Sequence, residues 1–347
     1  MKKKILSILL TGALSAAVLA GCGSSKTQEE AAAVATEENI QETSEKAAAE
    51  GQETGEEDNK IRIGILSGHV LPPLAEIKGY FEEEGVDAEI VPFTYGAPAI
   101  EAITSGDIDI CFTGDLPVYS GLSNGVDLTI IATYSTSEKI NALVVREDAD
   151  IKELSDLKGK TLAVPFGSNI QALLYEYLEA GGLTQNDAEI VNMPCADAVA
   201  SITQGAVDGI VVWEPFVTSA TNEDGIVELV DTSDFRTFVC TISGRTEYLE
   251  SHKDTVASTL RALDKASKYA SENKEEASKL VADYFSADNA DAIFIGLNKA
   301  DITLKLTPEK IEALKLGAEK NYEYGLLENE INVEDYIDTQ YLDAAGI

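Results

Sequence analysis

From residue 61 onward the sequence alternates strand-like and helix-like patterns in two successive series and then turns almost wholly helical, an order that few folds accommodate. Residues 61–66 alternate as a strand. Ser67-Gly68-His69 reads as a turn, Pro72 and Pro73 suit the first turn of a helix, and Leu74, Ile77 and Phe81 share one helical face before Gly85 stops it. Residues 86–93 continue as strand, 97–105 as helix, and 108–113 as a third strand ending on Thr113-Gly114-Asp115. After Glu147-Asp148 the order starts again, with strands at 161–164, 189–193 and 209–213 and helices at 169–180 and 196–204. From about Thr246 helical patterns run to the end. Strands alternating with helices build parallel or mixed sheets covered by helices. The length suffices for two lobes at the usual ~100–150 residues each. The expectation is an α/β chain with lobe 1 at 61–145 and 241–347 and lobe 2 at 146–240. The crossings between lobes are expected near 142–146 and 237–243.

The N-terminus carries a different message. Lys2, Lys3 and Lys4 precede an uncharged, mostly apolar run over 5–20. A membrane-spanning helix needs about 20 apolar residues; this run is shorter, is broken by Ser7, Thr11, Gly12 and Ser15, and leads to Leu19-Ala20-Gly21-Cys22. That is the three-part pattern of a secretion signal over residues 1–21, cleaved before Cys22. Leu-Ala-Gly-Cys resembles the bacterial lipobox, whose cysteine becomes the first mature residue and receives a diacylglyceryl group. The resemblance implies lipidation of Cys22 and an extracytoplasmic protein anchored to the bacterial cell membrane. Two or three acyl chains, at about 0.8 kcal/mol per buried methylene, hold such a domain durably. Residues 22–60 lack aromatic residues, and eleven acidic residues face three lysines between 23 and 60. Such a segment builds no core and reads as an extended acidic tether.

The full chain has 61 acidic and 26 basic residues, a formal charge of −35, which opposes binding to nucleic acid or an anionic membrane surface. It leaves the ligand open, because a local site can oppose the global sign. Cys111, Cys195 and Cys240 match no zinc or redox spacing. They read as small buried apolar residues, with one disulfide left open. The two histidines, His69 and His252, and the absence of an acidic cluster at ligand spacing give no sign of a metal or cofactor and disfavour a His-based enzyme.

Several segments together resemble one family. Ile103-Thr104-Ser105-Gly106-Asp107-Ile108-Asp109 followed by Thr113-Gly114-Asp115-Leu116-Pro117 is similar to the first lobe of ABC-importer binding proteins for aliphatic sulfonates, taurine, nitrate and thiamine precursors. Residues 154–164, Gly167-Ser168, and 198–208 followed by Trp213-Glu214-Pro215 resemble that family's second lobe. The resemblance spans about 61–244 and thins across the helical C-terminal segment. It implies a two-lobed periplasmic-binding-protein-like clamp of type II, with mixed sheets flanked by helices. It also implies a monomer that binds one small molecule in an interlobe cleft and delivers it to ABC permease subunits.

In open α/β sheets ligands sit beyond the carboxyl ends of the strands. Three turns fit that place: Ser67-Gly68-His69, Thr113-Gly114-Asp115 and Phe166-Gly167-Ser168-Asn169. Each joins glycine, which admits close backbone approach, to hydroxyls or amides and a helix N-terminus able to hold an anion without arginine. Singly each reads as ordinary capping; together they point to a cleft. Tyr95, Phe166 and Trp213 are candidate cleft aromatics, and Tyr119 is a weaker one within a helical stretch. Asp115 and Glu214, with no arginine nearby in sequence, suggest a cationic end on the ligand and hence a zwitterion such as a taurine-like amino-sulfonate. Thr113, Gly114 and Ser168 would hold its anionic end. Lys139, Arg245, Cys195 and Asp197 are lesser candidates.

Two classes remain. One is a transport receptor for a sulfonate or taurine-like solute, or alternatively for nitrate or a thiamine-precursor pyrimidine. The other is an enzyme on the same fold, as in fungal pyrimidine-precursor synthases. No nucleophile, base and orienter set is visible to favour the second.

Overall fold

Two sheets of matching topology organise the computed structural model, which describes residues 59–66, 68–287 and 289–347. The signal segment, Cys22, the tether through residue 58 and Ser67 lie outside the described residues. The strands are β1 (Lys60–Leu66), β2 (Asp87–Phe93), β3 (Ile110–Thr113), β4 (Leu128–Ser137), β5 (Asn141–Arg146), β6 (Thr161–Val164), β7 (Glu189–Asn192), β8 (Gly209–Trp213), β9 (Ile226–Asp231) and β10 (Phe238–Arg245). The first sheet has the order β2-β1-β3-β10-β4 and the second β7-β6-β8-β5-β9. In each sheet four strands share one direction, and the fourth in order alone is antiparallel to both neighbours. That antiparallel strand, β10 or β5, is the one that enters directly from the other lobe. This is the mixed α/β, two-lobed arrangement expected from the sequence.

The crossings differ from expectation. β5 pairs with β8 and β9, so it belongs to the second lobe, and the chain crosses at 138–140 and not at 142–146. The return crossing lies at 232–237, because Phe238 already pairs with Ser137 in the first sheet. At its other end this pair of crossings is bracketed by Ala142 opposite Asp231. Thr237 Oγ1 donates to Glu138 Oε1 at 2.8 Å and joins the two crossings side by side.

Strand residues alternate faces, and the first sheet is buried on both. Ile110, Phe112 and Ile131 face helices Leu71–Ile77, Lys253–Glu272 and Lys274–Tyr284. Cys111 and Ile130 face helices Gly96–Ser105, Asp115–Ser123 and Pro308–Glu323. Ile63 is fully buried; truncating such a side chain to alanine costs about 2–5 kcal/mol. The expected single helix carrying Leu74, Ile77 and Phe81 is instead two, Leu71–Ile77 and Tyr80–Glu83, broken at Gly79. Gly79 has φ 73°, and Ile77 is 39% exposed.

From Thr246 onward the chain is mainly helical and packs back on the first lobe. Residues 301–305 run along β4, with Thr136 and Asp301 exchanging backbone bonds at 2.8 Å and Thr133 N donating to Leu304 O at 3.1 Å. This edge contact fixes where the preceding helix, Ala290–Lys299, lies. Cys111 and Cys195 are buried and Cys240 half-buried, all as free thiols, so no disulfide joins them.

Candidate functional site

The lobes meet at three points contributed by the expected turns. Gly68, at φ 91°, lies against Pro215, where an added β-carbon would be 3.0 Å from the proline ring. Gly114 faces Asn169, and Gly167 faces Ala97, with a β-carbon distance of 3.4 Å. Between these points is a cavity of about 110 Å³. Lobe 1 lines it with Gly68, His69, Gly114, Tyr134, Ser135 and Cys240, and lobe 2 with Asn141, Asn169, Trp213, Glu214 and Pro215. A third side comes from Ile293, Gly296 and Leu297 of the C-terminal segment.

His69 is shaped by its neighbours. Its Nδ1 accepts the Leu66 backbone N–H at 3.0 Å, so the neutral ring carries its proton on Nε2 and donates to Tyr134 Oη at 2.8 Å. Burial pushes the His69 imidazole down to about 3, so the ring stays neutral. The Tyr134 hydroxyl also bonds the Cys240 thiol, which burial pushes up to about 12. All three groups are therefore neutral near pH 7.

Asn141 opens β5 and is 1% exposed, yet its Nδ2 has no hydrogen-bond partner. A buried amide donor left unpaired costs about 1–3 kcal/mol, and this one belongs to a residue of the cavity wall. Asn169 stands in the first turn of helix Asn169–Ala180, where backbone N–H groups and the helix dipole favour an anion.

Both expected charge readers are occupied within the protein. Glu214 Oε1 takes Lys299 Nζ at 2.8 Å and Oε2 takes the Thr218 N–H at 3.0 Å. Asp115 is absent from the cavity wall; Oδ1 takes the Leu116 N–H at 2.8 Å and Oδ2 faces Arg236 at 3.2 Å. Arg236 also lies 3.4 Å from Glu176, making an acid–guanidinium–acid triad, buried at Asp115 and mostly shielded at Arg236 and Glu176, that links lobe 1, the return crossing and lobe 2. Burial raises the pKa of both Asp115 and Glu176, and Arg236 opposes the rise.

Of the sequence candidates, Gly68, His69, Gly114, Trp213 and Glu214 line the cavity. Thr113 and Ser168 do not, and their hydroxyls donate to Gly114 O at 3.1 Å and Pro165 O at 2.6 Å, so neither is free to hold an anion as expected. Tyr95 is half-buried before helix Gly96–Ser105, Phe166 is 39% exposed, and both stand off the cavity wall with Gly167. Tyr119 is buried in the core, Cys195 likewise, and Arg245 pairs with Asp109 at 3.3 Å. Asn141, Tyr134, Ser135 and the helix Ala290–Lys299 escaped sequence reasoning. The only available signal was that Asn141 is a polar residue opening an apolar strand. Among the described residues no cluster of three or more His, Cys, Asp or Glu is placed to hold a metal.

Fold and cleft together define a type II two-lobed ligand-binding clamp. The chain belongs to the NMT1/THI5-like family, which residues 69–277 match. It is 29% identical over 294 residues to a Bacillus subtilis (strain 168) protein provisionally named an aliphatic sulfonates-binding protein, covering 82% of this chain and 88% of that one. The crystal structure of the periplasmic aliphatic sulphonate binding protein from Escherichia coli superposes with a TM-score of 0.72 at 25% identity, covering 82% of this chain and 99% of the other. The alkanesulfonate-binding protein from Xanthomonas axonopodis pv. citri bound to MOPS shares the fold, with a TM-score of 0.74 at 22% identity over 81% of this chain and 98% of that one.

Proposed function

We propose that this chain is the extracytoplasmic substrate-binding component of an ABC importer, anchored through lipid on Cys22, and that its lobes close on one small organic sulfonate. The observation that carries the reading is Asn141, a buried residue of the interlobe cavity wall whose Nδ2 has no partner within the protein. A sulfonate offers three acceptor oxygens and no donor. Asn141, Asn169, Ser135 and the first turn of helix Asn169–Ala180 offer donors without a competing free carboxylate. The resonance-spread charge suits a helix N-terminus, which needs no arginine. Relatives along most of the chain carry names that assign them to aliphatic sulfonates.

Trp213 is the sole tryptophan of the chain and lines the cavity, so its fluorescence reports occupancy. Titration with alkanesulfonates is expected to give saturable binding of one ligand per chain. The molecule should be recovered unchanged, as a receptor requires, and Asn141→Leu should weaken binding about tenfold or more. No saturable response to any sulfonate, or conversion of the bound molecule, would overturn the reading.

A further inference from the structure

The helix Ala290–Lys299 stands beyond residue 277, where the family match ends, yet it closes one side of the cavity. Its inward face is Ala292, Ile293, Gly296 and Leu297, spaced as neighbours on one side of a helix, while Asp291, Phe294 and Asn298 face solvent. Its end is tied to both lobes. Ser137 Oγ donates to Lys299 O at 2.6 Å, and Lys299 Nζ reaches Glu214 across the seam. A β-carbon at Gly296 would stand 3.4 Å from Glu214 Cβ, so the helix lies directly on the second lobe.

This side of the cavity offers apolar contact and no hydrogen bond from a side chain. The one carboxylate on the cavity wall, Glu214, has both oxygens engaged, so a ligand ammonium meets no free anion there. A volume of about 110 Å³ holds roughly seven to eleven water-sized groups. With four heavy atoms in a sulfonate head, roughly three to seven remain for a tail.

We propose that helix Ala290–Lys299 is the specificity wall of this cleft, admitting sulfonates with a short uncharged alkyl tail and disfavouring amine-bearing ones, with Gly296 and Leu297 setting tail length. This rests on the sulfonate reading of the site. Each methylene seated against the wall strengthens binding about fourfold until the space is filled. A partnerless ammonium loses about a hundredfold or more, since an unpaired buried charge costs several kcal/mol.

The test is calorimetric titration of ethane-, propane-, butane-, hexane- and octane-1-sulfonate, with 2-aminoethanesulfonate as the amine-bearing match to propane-1-sulfonate. The wild-type protein should favour the alkyl member of that pair and show an optimum chain length. Gly296→Ala, which improves helix propensity while adding a methyl to the wall, should shorten the optimum by about one carbon. Leu297→Ala should lengthen it. Opposite shifts cannot arise from a general loss of stability, and Gly296→Ala alone decides the matter should Leu297→Ala not fold. Sulfonates that bind with an unmoved length profile, or an amino-sulfonate that binds as well as its alkyl match, would overturn the wall while leaving the function intact. Absence of binding by every sulfonate overturns both.

Discussion

Gly114 at the end of β3 and Asn169 at the start of a lobe 2 helix face each other so closely that a β-carbon on the glycine would stand 2.7 Å from the asparagine Cγ. The glycine backbone, at φ −67° and ψ 173°, is ordinary for any residue. Space between the lobes, and not conformation, excludes a side chain. Gly114→Ala should therefore leave each lobe folded and obstruct their meeting. The expected outcome is a ligand affinity at least tenfold weaker in fluorescence titration, with the unliganded thermal midpoint within a few degrees of wild type.

The Asp115–Arg236–Glu176 triad makes a different demand. Removing the cation strands the buried Asp115 and the mostly shielded Glu176, and breaking a fully buried pair costs about 3–5 kcal/mol, an upper bound here. Both acids already have pKa values raised by burial, so between the ordinary carboxylate range and their raised values the folded state holds more protons than the unfolded. Their contribution to stability consequently falls as pH rises through that window. In Arg236→Met the window widens upward. Urea unfolding should show a deficit that is largest near neutral pH and shrinks on acidification toward the carboxylate range; a pH-independent deficit would contradict the triad.

His69 works in the opposite sense. Its folded value of about 3 lies below the usual histidine value, so between roughly 6.5 and 3 the unfolded state takes up a proton that the folded state refuses. Stability attributable to this residue is complete above about 6.5 and declines on acidification, by at most ~1.4 kcal/mol per pH unit. His69→Asn keeps an acceptor for the Leu66 N–H and removes the titration. The difference in unfolding free energy between wild type and variant should change across that window and level off above it.

Anchoring is tested at the N-terminus. Cys22→Ala should yield a protein that still binds ligand but appears in the soluble fraction after cell lysis and washing. Continued firm association with the membrane would contradict lipidation at that residue.

Much of the fold was legible because it is written locally. Strand alternation, Pro72 and Pro73 at a helix start, and Gly85 just past a helix end each act within a few residues. The crossing at 138–140 was misplaced because β5, Asn141–Arg146, is an apolar strand that would suit either sheet; its pairing with β8 and β9 is decided by residues about 65 to 90 positions later. The candidate site divides the same way. Turns bearing glycine announced Gly68 and Gly114. The cations that pair with Asp115 and Glu214 lie 121 and 85 residues away, and nothing near either carboxylate signals them. Asn141 and helix Ala290–Lys299 reach the cavity only through tertiary packing.

The paired crossings carry a mechanical consequence. Both links leave from opposed residues, Ser137 and Phe238, arrive at opposed residues, Ala142 and Asp231, and are stitched by Thr237 and Glu138 between. Two short links held side by side resist torsion and sliding while allowing bending about the line that joins them. The relative motion of the lobes therefore reduces to essentially one degree of freedom. Members of a ligand series would then close the lobes along the same path, and for any one ligand the solution scattering curves at every saturation level should be weighted sums of the free and the saturated curve.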